Sequence, residues 1–179
     1  MNTHTPQPQW LDADEQYAWR DFLRASRLLE AALDRDLQSH GLQLSEYEII
    51  SMLSEQPDRR LRMSEIAELV VQSRSRLTHT AGRLEKRGWV RREACVGDRR
   101  GVELVLTEAG HGEIRRMAPT HVGSVRANLM DHLSREDFLA LGRFMAAISR
   151  GIQGTGVCDE VHAAEEQPAE ALAGSSPRG

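Results

Sequence analysis

Apolar residues recur at helical spacing over the first half of the chain and predict four helices. Residues 11–39 predict a long amphipathic helix that ends at Gly41. A second helix is predicted from an N-cap at Ser45 to just before Pro57, and a short third helix covers 63–69. A fourth runs from an N-cap at Ser73 to Arg87 and is closed by Gly88. The stripe of the first helix holds Trp19, Phe22, Leu23, Leu29, Leu33 and Leu37.

The pattern changes after the fourth helix. Trp89–Cys95 and Val102–Leu106 alternate apolar and polar residues around a glycine-containing link, which predicts a β-hairpin. Thr107 opens a helical region to about Asp131, interrupted by Pro119, and Ser134 opens a last helix. The order is typical of a winged helix-turn-helix, in a mainly α protein with a small β-hairpin wing (α+β).

The same pattern predicts one domain over residues 11–150. Within it, 45–106 form the winged-helix lobe, and 11–40 and 107–150 form long N- and C-terminal helices. Residues 1–10 are expected to be a mobile N-terminus. Residues 151–179 are rich in Gly, Ala, Ser and Glu and predict a disordered acidic tail.

Composition adds two constraints. No apolar run approaches the roughly 20 residues that span a bilayer, and the first ten residues lack a signal-peptide pattern, so we expect a cytoplasmic protein without a membrane partner. The net charge of −4 conceals a segregation: Arg59–Arg100 holds 12 Lys and Arg against 5 Asp and Glu. A basic middle in an otherwise acidic chain indicates a surface that faces phosphates.

The fourth helix carries much of that charge on one side. Leu77, Ala81 and Leu84 are spaced to form its buried stripe, which turns a basic face outward. Small polar groups near the helix N-terminus suit base edges, longer cations suit phosphates, and the N-terminus itself attracts an anion. The predicted DNA-contacting residues of this recognition helix are Ser73, Arg74, Ser75, Arg76, Thr78, His79, Arg83 and Lys86.

Three segments carry a specific resemblance: two motifs in the middle of the chain and the long flanking helices at 11–40 and 107–150. Arg62–Arg92, with Leu84, Glu85 and Gly88, and "DRRGVELVLTEAG", from Asp98 to Gly110, together resemble the MarR family of winged-helix transcriptional regulators over about residues 12–150. The resemblance implies that wing arginines enter the minor groove or bind the backbone. Asp98 would brace one of Arg99 and Arg100, and which arginine does which stays open. His79 stands where family members often carry a base-reading arginine, so base preference there should differ.

The resemblance also implies partners. The helices at 11–40 and 107–150 would intertwine in a homodimer, which reads a palindromic duplex operator and, on family grounds, represses. A small, often phenolic or aromatic, effector would bind between these helices and the lobe and release the DNA; no cofactor is expected. The pocket candidates, each of which could equally be ordinary core, are Trp19, His40, Tyr47 and Met52.

Other functions remain open. Cys95 lies near four arginines in sequence and could serve a thiol-redox sensor, although a small strand residue is the simpler interpretation. Glu108, His111 and His121 form a weak metal pattern. A non-specific architectural DNA-binding protein is a further alternative. No nucleophile elbow, P-loop, dinucleotide fingerprint or HExxH motif is present, so no enzyme is expected.

Overall fold

The computed structural model describes residues 9–95 and 97–154, which are mostly helical and include a small antiparallel sheet. A 3-10 turn at Met130–His132 separates the last two helices. The elements, in chain order, are α1 (Ala13–Gln38), α2 (Leu44–Glu55), β1 (Arg60–Arg62), α3 (Met63–Leu69), α4 (Arg74–Lys86), β2 (Val90–Cys95), β3 (Asp98–Leu106), α5 (Glu108–Asn128) and α6 (Arg135–Gln153). The mainly α winged-helix prediction is confirmed.

Helix ends follow the capping residues with one exception. Ser73 accepts a hydrogen bond from the Arg76 backbone at the start of α4, and Gly88, with φ of +72°, follows its end. Ser45 is not the cap of α2. The N-cap is Gln43, whose backbone N–H donates to Glu46 Oε2 at 3.0 Å. The glutamate in the first turn outcompetes the serine because its carboxylate reaches back to the free N–H.

The sheet has the order β1-β3-β2, with β3 antiparallel to both neighbours. Sequence patterning missed β1 because a strand of three residues, two of them arginines, is too short to show alternation. Arg60 Nη1 lies 3.3 Å from both Glu93 and Glu103 and so links all three strands. The predicted two-stranded hairpin is therefore the outer part of a three-stranded sheet.

The junction between the wing and α5 explains Thr107 and Gly110, near the end of the segment "DRRGVELVLTEAG". Thr107 accepts the Gly110 N–H at 3.1 Å, and its own hydroxyl donates to the Gly88 carbonyl at 2.7 Å. A Cβ at Gly110 would lie 2.1 Å from the Trp89 carbonyl oxygen, so only glycine fits there. The helix then continues through Pro119 and ends at Asn128, short of the predicted Asp131.

The last helix runs beyond its predicted end. Ser134 caps α6, and the helix continues through Gly151 to Gln153, so the first residues of the predicted tail are helical. Within the described chain α6 has no buried residue, and Leu139, Phe144, Ile148 and Ile152 are exposed. The remainder of the predicted tail, 155–179, and residues 1–8 of the predicted N-terminus lie outside the described residues.

One apolar core joins the winged helix to α1 and α5. Ile66 of α3 is fully buried, whereas Leu69 at the end of that helix is 37% exposed. No helix among the described residues is long and apolar enough to cross a membrane. The largest fully buried apolar residues include Leu37 of α1, Ile49, Ile50 and Leu53 of α2, Leu77 and Leu84 of α4, Leu104 of β3 and Met117 of α5.

A buried carboxylate, Glu46, fixes α4 to α2. It is 1% exposed, and its Oε1 accepts from Arg83 Nε at 2.9 Å. Arg87 Nη2 lies 3.9 Å from Oε2, and its Nη1 donates to the Gly41 carbonyl at 2.8 Å. A carboxylate removed from water needs such partners, since an uncompensated buried charge is costly.

We expect Arg83→Met to destabilise the protein more than Glu46→Gln. The first variant leaves a buried carboxylate with one weaker cation and should cost about 3 kcal/mol of unfolding free energy. The second keeps a hydrogen-bonding group beside two arginines that can reach water, and should cost about 1 kcal/mol. Urea unfolding with equal m-values measures both. Equal losses, or the reverse order, would contradict this role of Glu46.

Candidate nucleic-acid interface

The buried stripe of α4 sets which residues face outward. Leu77, Ala81 and Leu84 are almost fully buried, as predicted, and Thr80 is buried beside them, donating its hydroxyl to the Arg76 carbonyl. The exposed face therefore begins at the capped N-terminus, where four N–H groups lack helical acceptors and favour an anion. The exposed residues of this face are Ser73, Arg74, Ser75, Arg76, Thr78, His79 and Lys86.

Arg83 does not share that exposure. Its Nε binds Glu46 and its Nη2 donates to Gln43 Oε1 at 2.6 Å, so two guanidinium nitrogens are committed to α2. Arg83 is thus a brace for the helix, and its contact with DNA stays a prediction. A sequence could not show this, because the partner lies 37 residues away.

Arg92 links the wing to α4 and was not singled out from the sequence. Its Nη1 donates to Glu85 Oε2 at 2.9 Å and its Nη2 donates to the Thr78 carbonyl at 3.0 Å. Charge-assisted bonds of this kind fix direction as well as distance. The strand β2 and the recognition helix are thus held together at the exposed side of the molecule.

The wing arginines lie in a bulge of β3. Ala94 pairs with Val102, but the next residue, Cys95, pairs with Asp98, so Arg99, Arg100 and Gly101 are extra on β3. The predicted strands left both arginines in the link between them, but β3 begins at Asp98 and includes the backbone of both arginines. A bulge takes residues out of the ladder and re-aims them.

Asp98 and Gly101 define the base of the bulge. Asp98 Oδ2 accepts from Arg62 Nη1 at 3.2 Å, a partner that the sequence did not indicate. A Cβ at Gly101 would lie 2.6 Å from Cys95 Sγ and 2.8 Å from Asp98 Oδ2. The glycine is therefore required by close approach rather than by a turn.

A groove of about 560 Å³ separates the wing from α3 and α4. It lies between the face of α4 and the bulge, where a duplex backbone would pass in a winged-helix complex. Its lining is cationic at several points and includes Arg62, Ser64, Arg74, Thr78 and Arg92.

The structure gives little support to the redox and metal alternatives. Cys95 is buried against Gly101. Glu108 binds Arg59 at 2.7 Å, and no group of three His, Cys, Asp or Glu able to hold a metal occurs among the described residues. His121 packs on Tyr47 with ring centroids 4.2 Å apart, and burial lowers the pKa of His121.

The four predicted pocket residues do not form one site. Tyr47 belongs to the core, where burial and the negative charge of Glu55 raise its pKa. Trp19 and His40 are exposed and Met52 is half-buried. The family resemblance, not the local pattern, suggests these four positions, and the pocket stays a prediction.

A cleft of about 530 Å³ lies between α1, α2 and the turn before α4. Burial and the nearby charge of Glu30 raise the pKa of Glu48, while Arg76 lowers it. Gln72 also lines the cleft, and its buried Oε1 accepts no hydrogen bond from the described residues. The charged lining consists of Arg27, Glu30, Asp34, Glu48 and Arg76.

The arrangement defines a winged helix-turn-helix DNA-binding protein. Comparison with known proteins adds the family: residues 40–101 match the model of the MarR family. A DNA-bound MarR family transcriptional regulator of Streptomyces coelicolor, Sco3205, is 44% identical, with a TM-score of 0.79 over 84% of this chain and 94% of that one. The chain therefore belongs to the MarR family of transcriptional regulators, which are not enzymes.

Two further relatives are more distant. The regulator PecS of Dickeya dadantii is 28% identical over 141 residues, 78% of this chain and 84% of PecS. BpsR of Bordetella bronchiseptica, whose DNA binding is regulated by 6-hydroxynicotinic acid, is 16% identical, with a TM-score of 0.66 over 79% of this chain and 97% of BpsR. At that identity BpsR supports the fold alone.

Proposed function

We propose that this regulator binds a palindromic operator as a homodimer and represses transcription until a small effector releases it. The observation that carries the proposal is the exposed, cationic face of α4, held rigidly by Glu46 on one side and by Arg92 on the other. A fixed helix presents the same donors to every site, which sequence-specific reading requires.

The proposed DNA-contacting residues divide by the part of the DNA that their side chains can reach. Ser75 and His79 lie on the exposed face near the start of α4 and would meet base edges in the major groove. Arg74, Arg76 and Lys86 would bind phosphates, with Arg74 on the side of the groove beside the wing. The wing would place Arg99 and Arg100 in the adjacent minor groove, where narrow A·T-rich DNA attracts cations.

Selection against random duplex DNA should recover a palindrome bound far more tightly than random sequence.

His79→Ala should relax the preference at one base pair in each half-site. Arg74→Gln should weaken all sequences alike and reduce the salt slope by about one per subunit. Arg20→Gln, an exposed change on α1, is the control. Equal retention of every sequence, with a steep salt dependence alone, would favour an architectural DNA binder.

The dimer would use α6 and α1. Helical geometry places Phe144, Ile148 and Ile152 on one side of α6, and all three are exposed in the single chain. On α1, Trp19 stacks on Phe22 with centroids 5.9 Å apart, and both rings are exposed. Apolar faces of this extent indicate a partner, and a second copy satisfies the two-fold symmetry of a palindrome.

Phe144→Glu should shift the protein to monomers, because it places a charge in an apolar interface. Sedimentation should show the change, and the variant should lose the advantage of a full palindrome over a half-site. Arg150→Gln, on the opposite side of α6, also changes the charge by one unit and should remain dimeric. A Phe144→Glu variant that stays dimeric at micromolar concentration would exclude this face.

The effector would bind the cleft between α1, α2 and the turn before α4. Arg27 and Arg76 in its lining suit a carboxylate. Because Arg76 also belongs to the reading face, a ligand that engages it would withdraw a cation from DNA. The hydroxylated aromatic acid that regulates BpsR is the first compound to test.

Addition of 6-hydroxynicotinate should weaken operator binding and raise the melting temperature of the free protein. Arg27→Gln should abolish both responses while keeping operator affinity, since Arg27 lies on α1, outside the reading face. Arg20→Gln on the same helix should keep both. An Arg27→Gln variant with an unchanged response would place the effector elsewhere.

A further inference from the structure

The base of the wing bulge is attached to the helix-turn-helix by a contact between Arg62 and Asp98. Arg62 Nη1 donates to Asp98 Oδ2 at 3.2 Å, and both side chains are 43% exposed. The two residues are 36 positions apart, one before α3 and one at the start of β3. The contact therefore spans from the DNA-reading helices to the wing.

Arg62 is a firm anchor because its backbone is held from two directions. It ends β1, where it pairs with Glu103 of β3. It is also the N-cap of α3, and its backbone N–H donates to Glu65 Oε2 at 2.9 Å. Because the Arg62 backbone is fixed relative to both the sheet and α3, its guanidinium extends from a fixed starting point.

The described strand pairs hold the bulge at its two ends. β1 pairs only with Glu103, Leu104 and Val105, so it supports the base of the wing and stops short of the bulge. Beyond Val102 the ladder continues through the single pair Cys95–Asp98. Close packing of Gly101 on Cys95 and Asp98 keeps the bulge tightly folded at that point.

We infer that Arg62 is a positioning residue of the wing: through Asp98 it sets the direction in which the bulge presents Arg99 and Arg100 to the minor groove. The inference rests on the proposed contact of these arginines with DNA. Arg62 acts on the reading of flanking sequence without itself touching a base. Loss of the Arg62 side chain changes the base preference in the DNA flank that the wing contacts. The base preference at the positions that α4 contacts stays unchanged.

The test uses the full-length protein and two duplexes with identical palindromes, whose wing-facing flanks are either A·T-rich or G·C-rich. Wild-type protein should prefer the A·T-rich flank, since its minor groove is narrower, by about tenfold. Arg62→Gln should reduce that preference to about twofold, because it weakens binding to the A·T-rich duplex more than binding to the G·C-rich one. Arg62→Lys, which retains the charge, should recover part of the preference.

Arg60→Gln is the matched control, because it removes the same charge from the same strand but lies on Glu93 and Glu103. It should keep the flank preference. Thermal unfolding should show that Arg62→Gln folds normally, since a half-exposed ion pair adds little stability. In an Arg99→Gln/Arg100→Gln background, Arg62→Gln should have no further effect, because the residues act in one chain of contacts.

Two results would overturn the inference in different ways. Equal weakening of both duplexes by Arg62→Gln, with a smaller salt slope, would show a direct phosphate contact instead. A flank preference that disappears in the Arg99→Gln/Arg100→Gln protein but persists in Arg62→Gln would leave the wing proposal standing and exclude Arg62. A wild-type protein without flank preference would overturn both.

Discussion

The buried ion pair of Glu46 is the constraint on which the reading surface depends. The Glu46 carboxylate accepts the backbone N–H of Gln43 at the start of α2. It also forms ion pairs with Arg83, near the end of α4, and with Arg87, the residue that follows α4. The recognition helix is therefore located by charge at its C-terminal end and by apolar packing of Leu77 and Leu84 beneath it. Its N-terminal end, with Ser73 to Arg76, is left exposed.

Arginines in this protein divide into those that build the surface and those that remain exposed on it. Arg60, Arg83 and Arg92 each bind a carboxylate from another element. Arg74 and Arg76 are exposed at the start of α4. The planar guanidinium suits both uses, because it holds several acceptors at fixed angles and keeps its charge at any physiological pH. A basic segment is thus partly internal scaffolding.

Local patterns predicted the elements well, and long-range pairings escaped them. The caps at Ser73, Thr107 and Ser134 and the stripe on α4 follow from neighbours within four residues, so the sequence reveals them. The brace on Arg83, the contact of Arg62 with Asp98 and the strand β1 join residues 36 to 45 positions apart.

The core described above crosses the boundary that sequence patterns drew between lobe and long helices. Leu37 of α1 and Ile114 and Met117 of α5 pack in the same cluster as Ile66 and Leu84 of the helix-turn-helix. A fragment containing only residues 45–106 would expose that cluster to water and lose much of the apolar burial that stabilises it. The winged helix and the helices α1 and α5 therefore share one core. Any displacement of α1 or α5 must therefore be accommodated within the packing beneath α4.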